Sequence, residues 1–241
     1  MIDIHNHILP NIDDGSKSIE MSIEMMRTAT EQGITDIVST FHYQHPMFNN
    51  TNFSDDEIFQ LYMDLQKEID KNNINIKIHV GCEVFYYDNL LSIRKNKFVT
   101  IGNGKYMLIE FYPNKIPKSQ KQVLYNLKMA GVTPIIAHPE RYRQVQNDIN
   151  YVLDWLNSGC LIQVDAGSLL GQLGEKSMKA AKLIIENLWC QILGSDAHNN
   201  SKRNFCLKDA YNCAKGLIGN KADWLVYDYP KIIIEGGTIS L

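Results

Sequence analysis

The sequence has no long apolar run: nowhere in its 241 residues do 18 or more apolar side chains follow one another, so no stretch is suited to span a bilayer as a helix. The first ten residues, MIDIHNHILP, have neither the basic nor the apolar region of a secretory leader and enter a titratable motif at once. Basic residues are not in excess. The 24 Lys and Arg against 27 Asp and Glu give a formal net charge of −3, which excludes the electrostatic footprint of a nucleic-acid binder and a polybasic membrane patch. The five cysteines, Cys82, Cys160, Cys190, Cys206 and Cys213, are odd in number and without C-x-x-C spacing, so reduced thiols in a cytoplasmic protein are expected in place of a disulfide framework. No linker, repeat or low-complexity tract divides the chain, and single α/β barrels reach this length, so residues 1–241 are expected to form one domain.

What is present is an alternation of short β-rich runs and longer amphipathic ones. The strand candidates are 2–5, 36–41, 74–81, 107–111, 134–138, 160–165 and 190–194. Between them lie helical patterns at 18–31, with Ser18 as N-cap, and at 54–71, where Ser54 and Glu57 have capping-box spacing. Further helical patterns at 118–130 and 149–157 stop at or before Gly131 and Gly159, and a last one covers 175–187. Strand and helix in strict alternation imply a parallel sheet, and seven units suggest a closed or nearly closed barrel, with an open doubly wound sheet as the competitor.

The chemistry-bearing residues fall at the strand ends. His5 and His7 end the first, followed by the turn Asp13-Asp14-Gly15. The second runs into His42, the third into Glu83, the fourth into Glu110. The fifth ends at His138, and the seventh leads to Asp196 and His198. A lone strand-end histidine is more often structural than a ligand, and Asp13-Asp14-Gly15 alone is an ordinary turn. Glu83 and Glu110 alone could be solvated strand ends, and Asp196 an N-cap. In a parallel barrel, however, all these side chains converge on the C-terminal rim, where such barrels place their chemistry. Six of seven strand ends carrying ligand-type residues is a poor match to independent accidents. His45 and His79 fall outside the pattern and read as loop and strand residues. Imidazole with carboxylate suits Zn, Mn or Fe, and H-x-H spacing puts both rings on one side of an extended strand. Nine candidate ligands exceed what one tetrahedral ion can use, so more than one metal is expected. Arg141 and Arg203, three and five residues beyond His138 and His198, could hold phosphate oxygens bidentately; position alone leaves open that they are surface arginines.

Together, Asp3-x-His5-x-His7, His42, Glu83, His138 and Asp196-x-His198 resemble the PHP (polymerase and histidinol phosphatase) superfamily across nearly the whole chain. The stretches IDIHNHILPNIDDGSKS, AHPERY, QVDAGSLLG and GSDAHN are similar to bacterial capsular and exopolysaccharide tyrosine-protein phosphatases of that superfamily. The resemblance implies a distorted (β/α)7 barrel and three divalent metal ions, manganese first, with iron or zinc compatible. It places one ion on His5, His7, Glu83 and Asp196, a second on Glu83, Glu110 and His138, and a third on Asp14, His42 and His198. Glu110 and Asp14 stand where other branches carry histidine. After the second strand the tyrosine phosphatases often read Ser-His-Arg; here Thr40-Phe41-His42-Tyr43-Gln44 keeps the ligand and lacks the basic neighbour, a difference bearing on substrate selectivity.

The expected activity is hydrolysis of phosphotyrosine by a metal-activated hydroxide, with Arg141 and Arg203 on the non-bridging oxygens. No cysteine has an arginine six positions later, so the thiolate loop of cysteine phosphatases is absent. By resemblance, the partner is the phosphorylated tyrosine-rich tail of a membrane-associated kinase governing polysaccharide export, and a homo-oligomer is compatible. A phosphoesterase for histidinol phosphate or nucleotides would need the same metals. A silent binding module would have no need of nine convergent ligands. An amidohydrolase-like barrel would use a lysine or its carbamate, and no lysine sits at a suitable strand end.

Overall fold

In the computed structural model, which describes residues 1–48 and 53–239, seven strands form one parallel sheet in the order of the sequence. They are β1 (Ile2–Asp3), β2 (Asp36–Tyr43), β3 (Lys77–Phe85), β4 (Tyr106–Glu110), β5 (Thr133–Ala137), β6 (Leu161–Asp165) and β7 (Ile192–Gly194). The sheet curls until its ends meet. Asn6 and Ala197 form a parallel bridge, flanked by His7 N to Ala197 O at 2.8 Å and Asp196 N to His5 O at 2.8 Å. Asp3 clasps the same seam, accepting from Ser195 N at 3.0 Å and Ser195 Oγ at 2.6 Å. The barrel expectation is met, and the open doubly wound sheet is not what forms.

Side-chain alternation sorts the strands into an inner and an outer set. On β4, Tyr106 and Leu108 belong to a small inner cluster with Ile4, Val38, Ile135, Leu161 and Ile192, whereas Met107 and Ile109 join the larger core under the helices. Extending that alternation upward puts Glu110 inside. The same count places Val38, Thr40 and His42 on the inner face of β2, and Leu161, Gln163 and Asp165 on that of β6. Each inner row is therefore apolar low in the barrel and polar at its C-terminal rim.

The helices are α1 (Ile19–Glu31), α2 (Asp55–Lys71), α3 (Leu90–Ile93), α4 (Gln120–Met129), α5 (Arg143–Asn147), α6 (Asn150–Asn157), α7 (Ala166–Leu169), α8 (Glu175–Glu186), α9 (Leu207–Ile218) and α10 (Tyr229–Glu235). Ser18 caps α1 through Met21 N, and Ser54 with Glu57 forms the expected capping box on α2. Three strands differ from the sequence reading in ways that bear on the site. β2 and β3 run on to Tyr43 and Phe85, so His42 and Glu83 lie within strands and face each other in register. β1 stops at Asp3 because Asn6 N bonds the Thr40 hydroxyl at 3.0 Å, a side chain taking the place of a ladder carbonyl. Elements after β7 carried no expectation; α9 packs against α7 and α8, and the segment from α10 onward closes the opposite end of the barrel, with Ile233 in the inner cluster and Tyr106 donating to Gly237 O at 2.8 Å.

Candidate metal centre

The structure brings all nine sequence-predicted ligands to the C-terminal rim. Among the described residues, four groups have ligand atoms close enough to surround a cation: His5, His7, Glu83 and Asp196; Glu83, Glu110 and His138; His7, Asp14, His42 and His198; and His42, His45 and Glu110. The first three reproduce the sets implied by resemblance, with His7 additionally beside the third. Glu83, only 1% exposed, sits between them, with Oε2 at 3.3 Å from His5 Nε2 and 3.5 Å from His7 Nε2, and Oε1 at 2.7 Å from His138 Nε2.

Whether these residues fit metal ions is decided by their hydrogen bonds. His5 Nδ1 bonds Gln163 Oε1 at 2.9 Å, His7 Nδ1 bonds Asp13 Oδ2 at 2.8 Å, and His198 Nδ1 bonds the Asp196 carbonyl at 2.8 Å. Each ring thus spends its Nδ1–H on a protein acceptor and turns Nε2 inward. His5 Nε2 and His7 Nε2 are buried and make no hydrogen bond; they face Asp196 Oδ1 at 3.4 and 3.3 Å. His198 Nε2 faces Asp14 Oδ1 at 3.4 Å. A neutral imidazole would then direct a lone pair at a carboxylate, which is repulsive unless a cation lies between them. Ligands about 2.1 Å from a tetrahedral ion stand about 3.4 Å apart, the spacing found here. Acceptors on the far nitrogen are the usual support of metal-bound histidine. The donor set fits divalent ions.

Electrostatics give the same sign. Burial alone would lower His5, but the carboxylates of Glu83 and Asp196 outweigh it and raise the imidazole to about 9. His42 is likewise raised to about 10, burial and the neighbouring His7 being overcome by Asp14, Glu110 and Glu83. Burial opposes ionisation of Asp13, yet His7 holds it down to about 2. The carboxylates gather positive charge, and protons serve where metals are lacking.

His45 is a different case. It lies in a loop, as expected, but its ring reaches the site, with Nε2 3.4 Å from Glu110 Oε1. Its Nδ1 accepts Met47 N at 3.2 Å, so the neutral ring carries its proton on Nε2 and has no lone pair there for a metal. His79 is a β3 residue, paired with Asp36 at 3.3 Å, and is remote from the site.

Arg141 and Arg203 both line the cavity above the cluster, a space of about 230 Å³. Each donates to Asp196 Oδ2, at 2.6 and 2.8 Å. Asp196 thus divides its oxygens, one to the histidines and one to the arginines. His138 and Asp196 have left-handed backbones, φ 34° and 49°, a conformation costly outside glycine and concentrated at functional sites.

Several residues of the site escaped the sequence reading. Asp13 looked like part of an ordinary turn; it fixes His7 and also accepts His42 N at 2.9 Å. Gly15 allows that turn, since a Cβ there would lie 2.3 Å from His7 O. Gln163 holds His5 and accepts His138 N at 3.2 Å. Asp165, at the sixth strand end, faces Arg141 at 3.5 Å. The available signal was two polar residues at alternate positions of an otherwise apolar strand, QVD.

The fold and the rim define a PHP-type α/β-barrel hydrolase with a candidate multi-metal centre. The chain belongs to the capsular polysaccharide synthesis family CpsB/CapC, whose model matches residues 1–235. YwqE of Bacillus subtilis (strain 168), a tyrosine-protein phosphatase, is 32% identical over 241 residues, 99% of this chain and 93% of the relative. The tyrosine-protein phosphatase CpsB of Streptococcus agalactiae serotype III (strain NEM316) is 33% identical over 217 residues, 88% of each chain. A solved structure from work on B. subtilis YwqE and Streptococcus pneumoniae CpsB, described as unique metal-dependent tyrosine phosphatases, superposes with a TM-score of 0.91. Its identity is 30%, and the match covers 100% of this chain and 96% of the other. The Escherichia coli phosphotriesterase homology protein shares the fold alone, at TM-score 0.57 and 10% identity, covering 97% of this chain and 98% of its own.

Proposed function

We propose that this chain, as one unit over residues 1–241, is a metal-dependent protein-tyrosine phosphatase of the cytoplasm. Its substrate in this reading is the phosphorylated tyrosine-bearing tail of a bacterial kinase, and its role is regulation of capsular or exopolysaccharide synthesis. The observation that carries the reading is the shared orientation of His5, His7 and His198, each giving Nδ1 to a protein acceptor and Nε2 to a carboxylate 3.3–3.5 Å away. Relatives named as tyrosine phosphatases support the substrate class.

In this reading His5, His7, Glu83 and Asp196 hold one divalent ion, Glu83, Glu110 and His138 a second, and Asp14, His42 and His198 a third. Mixed imidazole and carboxylate donors suit manganese, and also iron or zinc. When bound, such ions supply Lewis-acid polarisation of phosphoryl oxygens and make hydroxide available near neutral pH. The protein's own groups do the rest. Gln163 and Asp13 fix the imidazole tautomers, so that each Nε2 is free for coordination. Arg141 and Arg203 bind non-bridging phosphate oxygens and offset the charge that grows on them. Asp196, buried between the two arginines, keeps both guanidinium groups at the cavity floor. No cysteine lines the cavity among the described residues, and burial pushes the Cys82 thiol well up, so no thiolate nucleophile is on offer. A phenol leaving group with a pKa of about 10 needs little assistance.

The test compares a phosphotyrosine peptide, a phosphoserine peptide and histidinol phosphate with added manganese, with and without chelator. Manganese-dependent turnover of the phosphotyrosine peptide, lost on chelation and in His138→Ala, is expected. Preference for histidinol phosphate, or full activity under chelation, would overturn the reading.

A further inference from the structure

We infer that Tyr112 is a specificity-determining residue, the wall against which the aryl ring of a phosphate ester packs; this rests on the phosphatase reading above. Tyr112 follows Glu110 by two positions at the end of β4, so strand alternation carries it to the same side as that carboxylate. Its side chain lines the cavity above the metal groups, and the residue is 45% exposed, so an aromatic face is open to a ligand there.

The ring is nevertheless packed on one side. It stands edge-on to Phe85, centroids 4.6 Å apart at 79°, and Phe85 is 2% exposed and braced on its other sides by His45 at 4.9 Å and Tyr87 at 5.5 Å. The backbone beneath is a tight turn: Lys115 N bonds Tyr112 O at 3.1 Å, Arg143 N bonds Pro113 O at 2.8 Å, and Gln144 Nε2 bonds Asn114 O at 3.0 Å. An exposed aromatic that is already ordered loses little entropy when a second ring meets it, the condition for efficient recognition.

The cavity has two chemically distinct sides. Arg141, Arg203 and the carboxylate–imidazole cluster form the floor that takes the phosphoryl group. Tyr112, Phe48 and Pro113 form the apolar side. A phosphoryl group on the floor directs its ester substituent toward the mouth. An aryl substituent there meets Tyr112 in an edge or offset contact. A short alkyl substituent, as in a serine ester, leaves that face wet. The charged floor supplies affinity for any phosphate; the aromatic wall supplies the difference between esters.

Calorimetric titration of the manganese-loaded protein with phosphate, methylphosphonate and phenylphosphonate reads this without turnover. The wild type should bind phenylphosphonate about tenfold more tightly than methylphosphonate, the scale of one aromatic contact with its buried area. Tyr112→Ala should bring that ratio close to one, and Tyr112→Phe should preserve it. A wild-type ratio near one, a ratio that survives Tyr112→Ala, or an equal loss for all three ligands would overturn the inference while leaving the phosphatase reading in place. Failure of the wild type to bind even phosphate would remove both.

Discussion

Stripping the divalent ions should make the protein less stable as the pH rises, the reverse of the metal-loaded form. The reason lies at His5, fully buried with Nε2 between Glu83 and Asp196. Burial opposes its charge, but the two carboxylates prevail and raise it from 6.5 to about 9. Because the folded-state value lies above the unfolded one, the stabilising proton is fully effective below about pH 6.5, and its contribution is gone once the pH has risen through about 9. At about 1.4 kcal/mol per pH unit, that interval corresponds to about 3 kcal/mol. For a chain of this length the loss lowers the melting temperature by about 6–12 °C. His42, raised to about 10 after burial and His7 are overcome, acts in the same direction. In the loaded protein the opposite holds, because coordination requires deprotonated Nε2 and strengthens with pH. Differential scanning calorimetry of chelator-treated and manganese-saturated protein between pH 6.5 and 9.5 measures both slopes. Their difference cancels groups outside the ligand sets, such as Glu140, which burial pushes up to about 8. A metal-free melting temperature that stays level or climbs across this window would show that His5 is not held between those carboxylates.

Three substitutions test the surrounding design. Asp13→Ala removes the acceptor of His7 Nδ1 at 2.8 Å, and should weaken metal affinity by about 10–100-fold in a competition titration with a chromogenic chelator. Arg203→Ala should raise KM for p-nitrophenyl phosphate while elemental analysis finds the metal content kept; loss of metal would assign Arg203 a structural role instead. Gly15→Ala puts a Cβ 2.3 Å from His7 O and 2.5 Å from His7 Cβ, so the first motif must shift, at a cost of about 1–3 kcal/mol in denaturant unfolding.

Most of the candidate ligands were legible in the sequence because they stand at or just beyond the ends of apolar strands, where a buried charge-bearing side chain has few structural reasons to be; Asp14, exposed in a turn, was marked only by the family resemblance. Their supports were not. Asp13 and Gln163 are ordinary residues in sequence, and acquire a role only through contacts across 6 and 158 positions. His45 shows the converse: the residue type suggests a ligand, and the Met47 N–H on its Nδ1 removes the lone pair a metal would need. Tyr112 gave no sign at all, since its standing depends on Phe85, brought beside it by the β3–β4 pairing of Phe85 with Glu110.

Residue types and their strand-end spacing determined by themselves that imidazoles and carboxylates would meet at one rim of a parallel barrel, because alternation and strand direction are local properties of the chain. Tertiary structure alone decided which nitrogen of each histidine faces inward, how Asp196 divides its oxygens, and which aromatic stands at the mouth. Those outcomes depend on hydrogen-bond partners and ring contacts between distant segments, which come together only when the barrel closes.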